Sequence, residues 1–192
     1  MSNTTSRFLD GPASEVAPQL LGCIIERTLP TGTILRGRIV ETEAYDQTDT
    51  ASHSYKGKTP RTEIMFGPAG HLYVYFTYGM HYCCNVVTGP SGYGAAVLIR
   101  AVEPLQGQED MALRRSRHGR ELTNGPAKFC QAFAIDTSLN GHDLQTPPLK
   151  LIVPLERRGE IVQTTRIGIS TAKDVPWRFY YRDNPYVSKT NS

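Results

Sequence analysis

"HLYVYFTYGMHYCCNVVT", residues 71–88, sets Tyr73, Tyr75 and Tyr78 close together and then breaks at Gly79. Aromatic and β-branched residues suit a pleated, half-buried surface, so the stretch predicts two strands joined by a turn over Gly79, Met80 and His81. Alternation would put Tyr73, Tyr75 and Thr77 on one face of the first strand and Val74, Phe76 and Tyr78 on the other. Core filling explains one aromatic face but not two, and it does not explain a ring at the hairpin tip, where Tyr78 would stand. A protruding hairpin of this kind makes an antiparallel sheet the basis of the fold.

The flanks extend that sheet. Before it, "GTILRGRIVETEAY", residues 32–45, predicts a long strand, and "ASEVAPQLLGCIIER" a helix near Ser14 to Leu21 that breaks at Gly22 and enters a strand at about Cys23. After it, "GAAVLIRAVEP", residues 94–104, predicts an apolar strand ending at Pro104. "GQEDMALRRSR" and "GPAKFCQAFAI" look helical, the second with Thr123 or Asn124 as its N-cap. Two more strands are expected in "LKLIVPLERRGEIVQTTRIGIS". The segment 46–70 holds three glycines and two prolines and is too long for an idle connection. The expected fold is therefore α+β: a single domain over 1–192 with a mainly antiparallel curved sheet or open barrel, packed helices and the hairpin. Its ends, about 1–6 and 188–192, are expected to be flexible.

At 192 residues, 39% apolar and 20% charged, the chain has room for one sizeable core and the composition of an ordinary globule. It has neither an apolar run long enough to span a membrane nor a signal-peptide pattern at its start, so an intracellular protein is expected, in the cytoplasm or nucleoid of a bacterium or the nucleus of a eukaryote. Cys23, Cys83, Cys84 and Cys130 lack a zinc-type spacing and are expected to be reduced packing thiols. Net charge is only +3, yet Arg114, Arg115, Arg117, Arg120 and Lys128 face Glu121 alone across 112–128, and Lys56, Lys58 and Arg61 lie in an acid-free stretch. Two such segments fit a polyanionic partner, and each also fits solvated surface.

Chemistry concentrates on the long strand. Alternation aligns Ile39, Glu41, Glu43 and Tyr45 on one face, and Asp46 and Asp49 continue an acidic run without a cation. Such a run is either a solvated edge or a place where a carboxylate is needed. Glu43, Asp46, Asp49 and His53, with His71 or His81, could gather a divalent metal; alternatively Glu43 acts alone beside an aromatic pocket. No tight metal-ligand spacing supports the first reading, so no metal and no cofactor are expected.

"GRIVETEAY", "ASHSYKGKTPRTEIMFGPAGHLYVYFTYGMHYCCNVV", "AVLIRAVEPLQG" and "LTNGPAKFCQAFAI", in unbroken order between about Arg7 and Val187, resemble the alkyladenine (3-methyladenine) DNA glycosylase family. The resemblance implies a monofunctional enzyme that removes alkylated and deaminated purines from double-stranded DNA in base excision repair, without metal and as a monomer. It implies Glu43 as general base for water, with Arg100 and the main chain near Val175 to Arg178 fixing that water. Tyr45, His53 and Tyr75 would enclose the extruded base, and the main chain at Ala51 and His53 would read its edge. Asn85 would reject the exocyclic amine of guanine, Tyr78 would fill the gap in the duplex, and Lys128 and Gly125 would meet the DNA backbone. The chain departs from the family at Gln47, where many relatives have Gly, and carries small substitutes at Ala69 and Ala127; the altered loop leads to His53 and bears on substrate range. A non-catalytic stacking module built on the same rings is the rival reading.

Physical chemistry fits that implication. Flipping a base costs a few kcal/mol, and aromatic stacking of about 1–3 kcal/mol per base can offset it. A positively charged alkylpurine gains further from electron-rich rings. Cleavage at the sugar develops oxocarbenium character, which a carboxylate both stabilises and resolves by activating water. A lyase would need an amine in the pocket, and Lys56 and Lys58 belong to the basic loop, so no strand cleavage is expected.

Overall fold

A computed structural model describes residues 8–156 and 159–188. In chain order the elements are helix α1 (Ala13–Leu20), strands β1 (Ile24–Thr28), β2 (Ile34–Asp46), β3 (Leu72–Thr77), β4 (His81–Val87) and β5 (Ala95–Gln106), helices α2 (Gln108–Arg115) and α3 (Pro126–Ala132), and strands β6 (Leu149–Ile152), β7 (Ile161–Thr164) and β8 (Arg178–Tyr181). Every strand pairing is antiparallel. The fold is the expected α+β arrangement: among the described residues, a sheet curled into a half-barrel, with α1 and α3 packed on it and α2 packed on α3.

β2 is the axis of the sheet. One edge pairs with β5 along nearly its whole length; the other serves β1 at its start and β8 over Glu41–Glu43. Register shifts against β5 at Arg36/Gly37, Ile39/Glu41 and Glu41/Thr42 bend β2, the last two where its other edge passes from β1 to β8. Gly37 serves the same end, since a Cβ there would stand 2.2 Å from Val102 Cγ1 and 3.0 Å from the Phe133 ring. Only hydrogen at that position lets the end of α3 close onto the sheet.

α1 buries Val16, Ala17 and Leu20 against β2, and α3 buries Phe129 and Cys130 against β4 and β5. The main core continues through Ile39, Val74, Val86 and Ile99. A smaller cluster, Met65, Tyr73, Val87 and Ala96, lies on the other face of β3, β4 and β5. All four cysteines are buried and none is in a disulfide, and among the described residues no helix is long and apolar enough to cross a membrane.

Several details differ from expectation. β5 continues past Pro104 to Gln106, because Pro104 pairs with Gly37 at a bulge where a missing N–H costs no regular ladder bond. The N-cap of α3 is Gly125, with no side-chain cap: the Thr123 hydroxyl donates to Val102 O, and Asn124 Oδ1 accepts from Lys128 Nζ at 2.8 Å. The tail forms a third strand, β8, beyond the expected two. The arginine run is largely tied down, Arg115 to the carbonyls of Glu121 and Leu122 and to Gln131, Arg114 to Asp110, and Arg117 to Glu121 at 3.7 Å. Of the expected flexible ends, 1–6 and 189–192 lie outside the described residues, whereas Ser188 is buried and donates both its N–H and its hydroxyl to Glu41.

Candidate active site

β2 and β5 run side by side and bring Glu43 and Arg100 together. Glu43 is fully buried, yet both its oxygens are occupied by polar partners. Oε2 accepts from Tyr45 Oη at 2.9 Å and from Arg100 Nη1 at 3.2 Å, and Oε1 accepts the Ile167 N–H at 2.8 Å. Tyr45, Arg100 and Ile167 all line a cavity of about 460 Å³, a size suited to a small-molecule ligand. Glu43 thus lies behind the cavity wall, within one side chain of it, and not in apolar surroundings. Burial pulls the Arg100 pKa down, but the carboxylates of Glu43 and Glu41 outweigh it and hold the guanidinium above its ordinary value.

Glu41, on the same face of β2, has a different task. Its carboxylate takes Arg178 Nε at 2.6 Å and the Ser188 N–H at 2.7 Å. A carboxylate so saturated cross-links β2 to β8 and to the end of the chain. Of the segment Val175 to Arg178 expected near the water, the Arg178 side chain goes to Glu41 while its main chain pairs with Glu43 in the sheet; the N–H that meets the Glu43 carboxylate is that of Ile167.

Opposite Glu43 stand the rings. Tyr73 and Tyr75 stack with centroids 5.7 Å apart, and His53 meets Tyr75 edge-on at 4.6 Å. His53 Nδ1 and the Tyr73 hydroxyl share a hydrogen bond at 3.0 Å. Burial among these rings, with the cation of Arg61 nearby, lowers the His53 pKa and favours its neutral form. Tyr45 and Tyr75 line the same cavity, and burial raises the pKa of both phenols. Asn85, buried, donates Nδ2 to Tyr73 O at 3.3 Å on the cavity wall.

Tyr78 is 85% exposed and sits at the hairpin tip. It lines the cavity mouth instead of following Val74 and Phe76 to the far face, because the strand ends at Thr77 and Tyr78 adopts a left-handed φ of 52° that cancels the alternation. That conformation costs a non-glycine residue roughly 1–2 kcal/mol. Ala51 and His53 also line the cavity, and the Ala51 N–H is committed to Asp49 Oδ1 at 3.0 Å. Pro126 brings the start of α3 to the cavity rim; Gly125 beside it is buried, and Lys128 is partly so.

Some contributors are invisible in the sequence. Arg166, buried, pairs with Asp49, donates to Ala44 O at 3.0 Å, and lies with its guanidinium carbon 4.8 Å from the centre of the Tyr45 ring. It joins the loop carrying Ala51 to the strand carrying Glu43. Cys83, its thiol pushed up to about 11 by burial, and Leu98 complete the cavity floor. Tyr73 was legible from its alternation with Tyr75, whereas Arg166 and Ile167 lie in a polar stretch without any periodic signal.

Three donors of the metal alternative are engaged elsewhere. Asp49 is bound to Arg166, Asp46 accepts from Thr48 and from Tyr93 Oη at 2.8 Å, and His53 is held by Tyr73. Among the described residues no three His, Cys, Asp or Glu side chains converge as a metal site would require.

A carboxylate paired with an arginine behind a ring-lined cavity, beneath a hairpin that raises one more ring, has the parts of a DNA glycosylase, an enzyme that holds a flat base while water attacks the sugar bond. The sequence model of the methylpurine-DNA glycosylase (MPG) family matches residues 7–185, and the chain belongs to that family. Three curated relatives bear the name "Putative 3-methyladenine DNA glycosylase". The one from Carboxydothermus hydrogenoformans is 56% identical over 177 residues, 91% of this chain and 92% of its own length. That from Methanoculleus marisnigri is 46% identical over 187 residues, 95% and 96% of the two chains. That from Nitrosospira multiformis is 48% identical over 170 residues, 86% and 88%.

Proposed function

We propose that this chain is a monofunctional DNA glycosylase that swings an alkylated or deaminated purine out of double-stranded DNA and hydrolyses its bond to the sugar. The observation that carries the reading is Glu43, held between Arg100 and the Ile167 N–H directly behind a cavity faced by Tyr45, His53 and Tyr75. In this reading the base lies between Tyr45 and the His53–Tyr75 wall, where stacking offsets the cost of flipping. A neutral His53 adds no charge that would repel a cationic alkylpurine.

Glu43 takes the proton of a water that attacks the anomeric carbon, and its charge, oriented by Arg100, supports the developing oxocarbenium ion. Asn85 crowds the position where guanine carries its amine. Tyr78 enters the stack from the hairpin tip, as wedge side chains do. Lys128 and the main chain at Gly125 contact the backbone phosphates, and the enzyme works as a monomer inside the cell. Among the described residues no lysine lines the cavity, which fits hydrolysis without strand cleavage.

Chromatography of bases freed from methylated DNA tests this directly. Free methylpurine is expected, with intact strands and no effect of a chelator. DNA bound but no base released would favour a stacking module, and activity lost to chelator would favour a metal hydrolase.

A further inference from the structure

Gln47 lies outside the cavity, yet it fastens the loop that forms one of its walls. Its Oε1 accepts the Gly94 N–H at 2.8 Å. The carbonyl of the same glycine accepts from Ser54 Oγ at 2.7 Å, and Ser54 shares a second hydrogen bond, also 2.7 Å, with Ser52 Oγ. Gly94 is thus gripped through both of its main-chain polar groups, one by each end of the segment Gln47–Ser54. A Cβ at that position would stand 2.6 Å from the Phe66 ring and 2.8 Å from Ser54 Cβ, so the grip closes only on glycine.

What this clamp positions is specific. Gly94 directly precedes β5, the strand that carries Leu98 and Arg100 into the cavity. Between the two fastenings lie Ala51 and His53, the wall opposite Arg100. Two further anchors hold the loop: Asp49 goes to Arg166 on the Tyr45 side, and His53 itself shares a hydrogen bond with Tyr73. Gln47 thus ties the loop carrying Ala51 and His53 to the start of β5, the strand whose Leu98 and Arg100 line the same cavity.

Building on the glycosylase reading above, we propose that Gln47 is a positioning residue that determines lesion specificity: its bond to Gly94 fixes the width of the base-reading gap without touching the base. Gln47→Met keeps the length of the side chain and removes the acceptor, whereas Gln47→Glu keeps the acceptor. Single-turnover excision is to be measured for each variant and the wild type on duplexes containing 7-methylguanine or hypoxanthine, and the ratio of the two rates compared.

The Met variant is expected to shift that ratio by about fivefold, the scale of one ordinary hydrogen bond, while the Glu variant restores the wild-type ratio. Amide hydrogen exchange at Gly94 should lose protection in the Met variant and keep it in the Glu variant. If the Met variant slows both substrates equally, or leaves both unchanged, the inference is overturned although the glycosylase reading survives. A wild-type chain that releases neither of these bases nor any methylpurine from methylated DNA would instead overturn the glycosylase reading on which the inference rests.

Discussion

On one face of the β3–β4–β5 sheet, Leu72, Val74, Cys84, Val86, Val97 and Ile99 are sealed in the main core. On the other face of the same strands, Tyr73, Tyr75, Cys83, Asn85, Leu98 and Arg100 line an open cavity. Strand pairing and twist are common to both faces, so the difference comes from what covers them. Helices α1 and α3 close the first face; loops close the second, from Gln47 to Phe66 and from Arg166 to Thr171. A helix brings an apolar stripe and shuts water out. A loop brings main-chain groups and isolated side chains, and it leaves room for a ligand.

The comparison makes separable predictions. Ile99→Ala, on the closed face, is expected to destabilise the fold by about 2–5 kcal/mol in chemical denaturation, through lost transfer energy and the void left behind. Base release per folded molecule should persist. Activity lost at conditions where the variant remains folded would show that the faces are coupled.

Tyr75→Ala, on the open face, should do the reverse. Stability falls less, because Tyr75 is only partly buried, and affinity for a lesion-bearing duplex over an undamaged one drops by about 1–3 kcal/mol. Competition binding with the two duplexes measures this, and an unchanged preference would remove Tyr75 from the wall.

The smallest effect concerns pH. With its folded pKa below the ordinary value of about 6.5, His53 lets the unfolded chain take up its proton first as acid is added. The stability contributed by the neutral ring is therefore complete above pH about 6.5 and is lost as pH falls through the lower folded value. Urea midpoints from pH 5 to 7.5 for the wild type and His53→Asn should converge or cross toward acid. A wild type that gains on the variant as acid is added would contradict the assignment.

How much of this was legible in the sequence follows from the range of the forces involved. The hairpin, the long β2 strand and the shared face of Tyr73 and Tyr75 could be read, because alternation is a local property of strands. Glu41 and Glu43 could be read as a pair but not told apart: one is claimed by Arg178 and Ser188, the other by Ile167, partners more than 120 residues away. Arg166 went unnoticed for the same reason, since its value lies in reaching back to Ala44 and Asp49. The tip was misread in orientation, because a single left-handed residue at Tyr78 reverses a face that alternation alone would assign. The basic run over 112–128 fitted both a polyanionic partner and solvated surface in the sequence, because the Glu121 and Leu122 carbonyls that hold Arg115 are brought to it only by the fold.

The central claim is that Glu43 drives the chemistry while the rings hold the base, and Glu43→Gln separates the two. Single-turnover release of methylpurine by this variant should fall by roughly 10²–10⁴-fold, with affinity for a duplex bearing an abasic-site mimic within a few-fold of wild type. A Gln variant that releases base at the full rate would contradict the account.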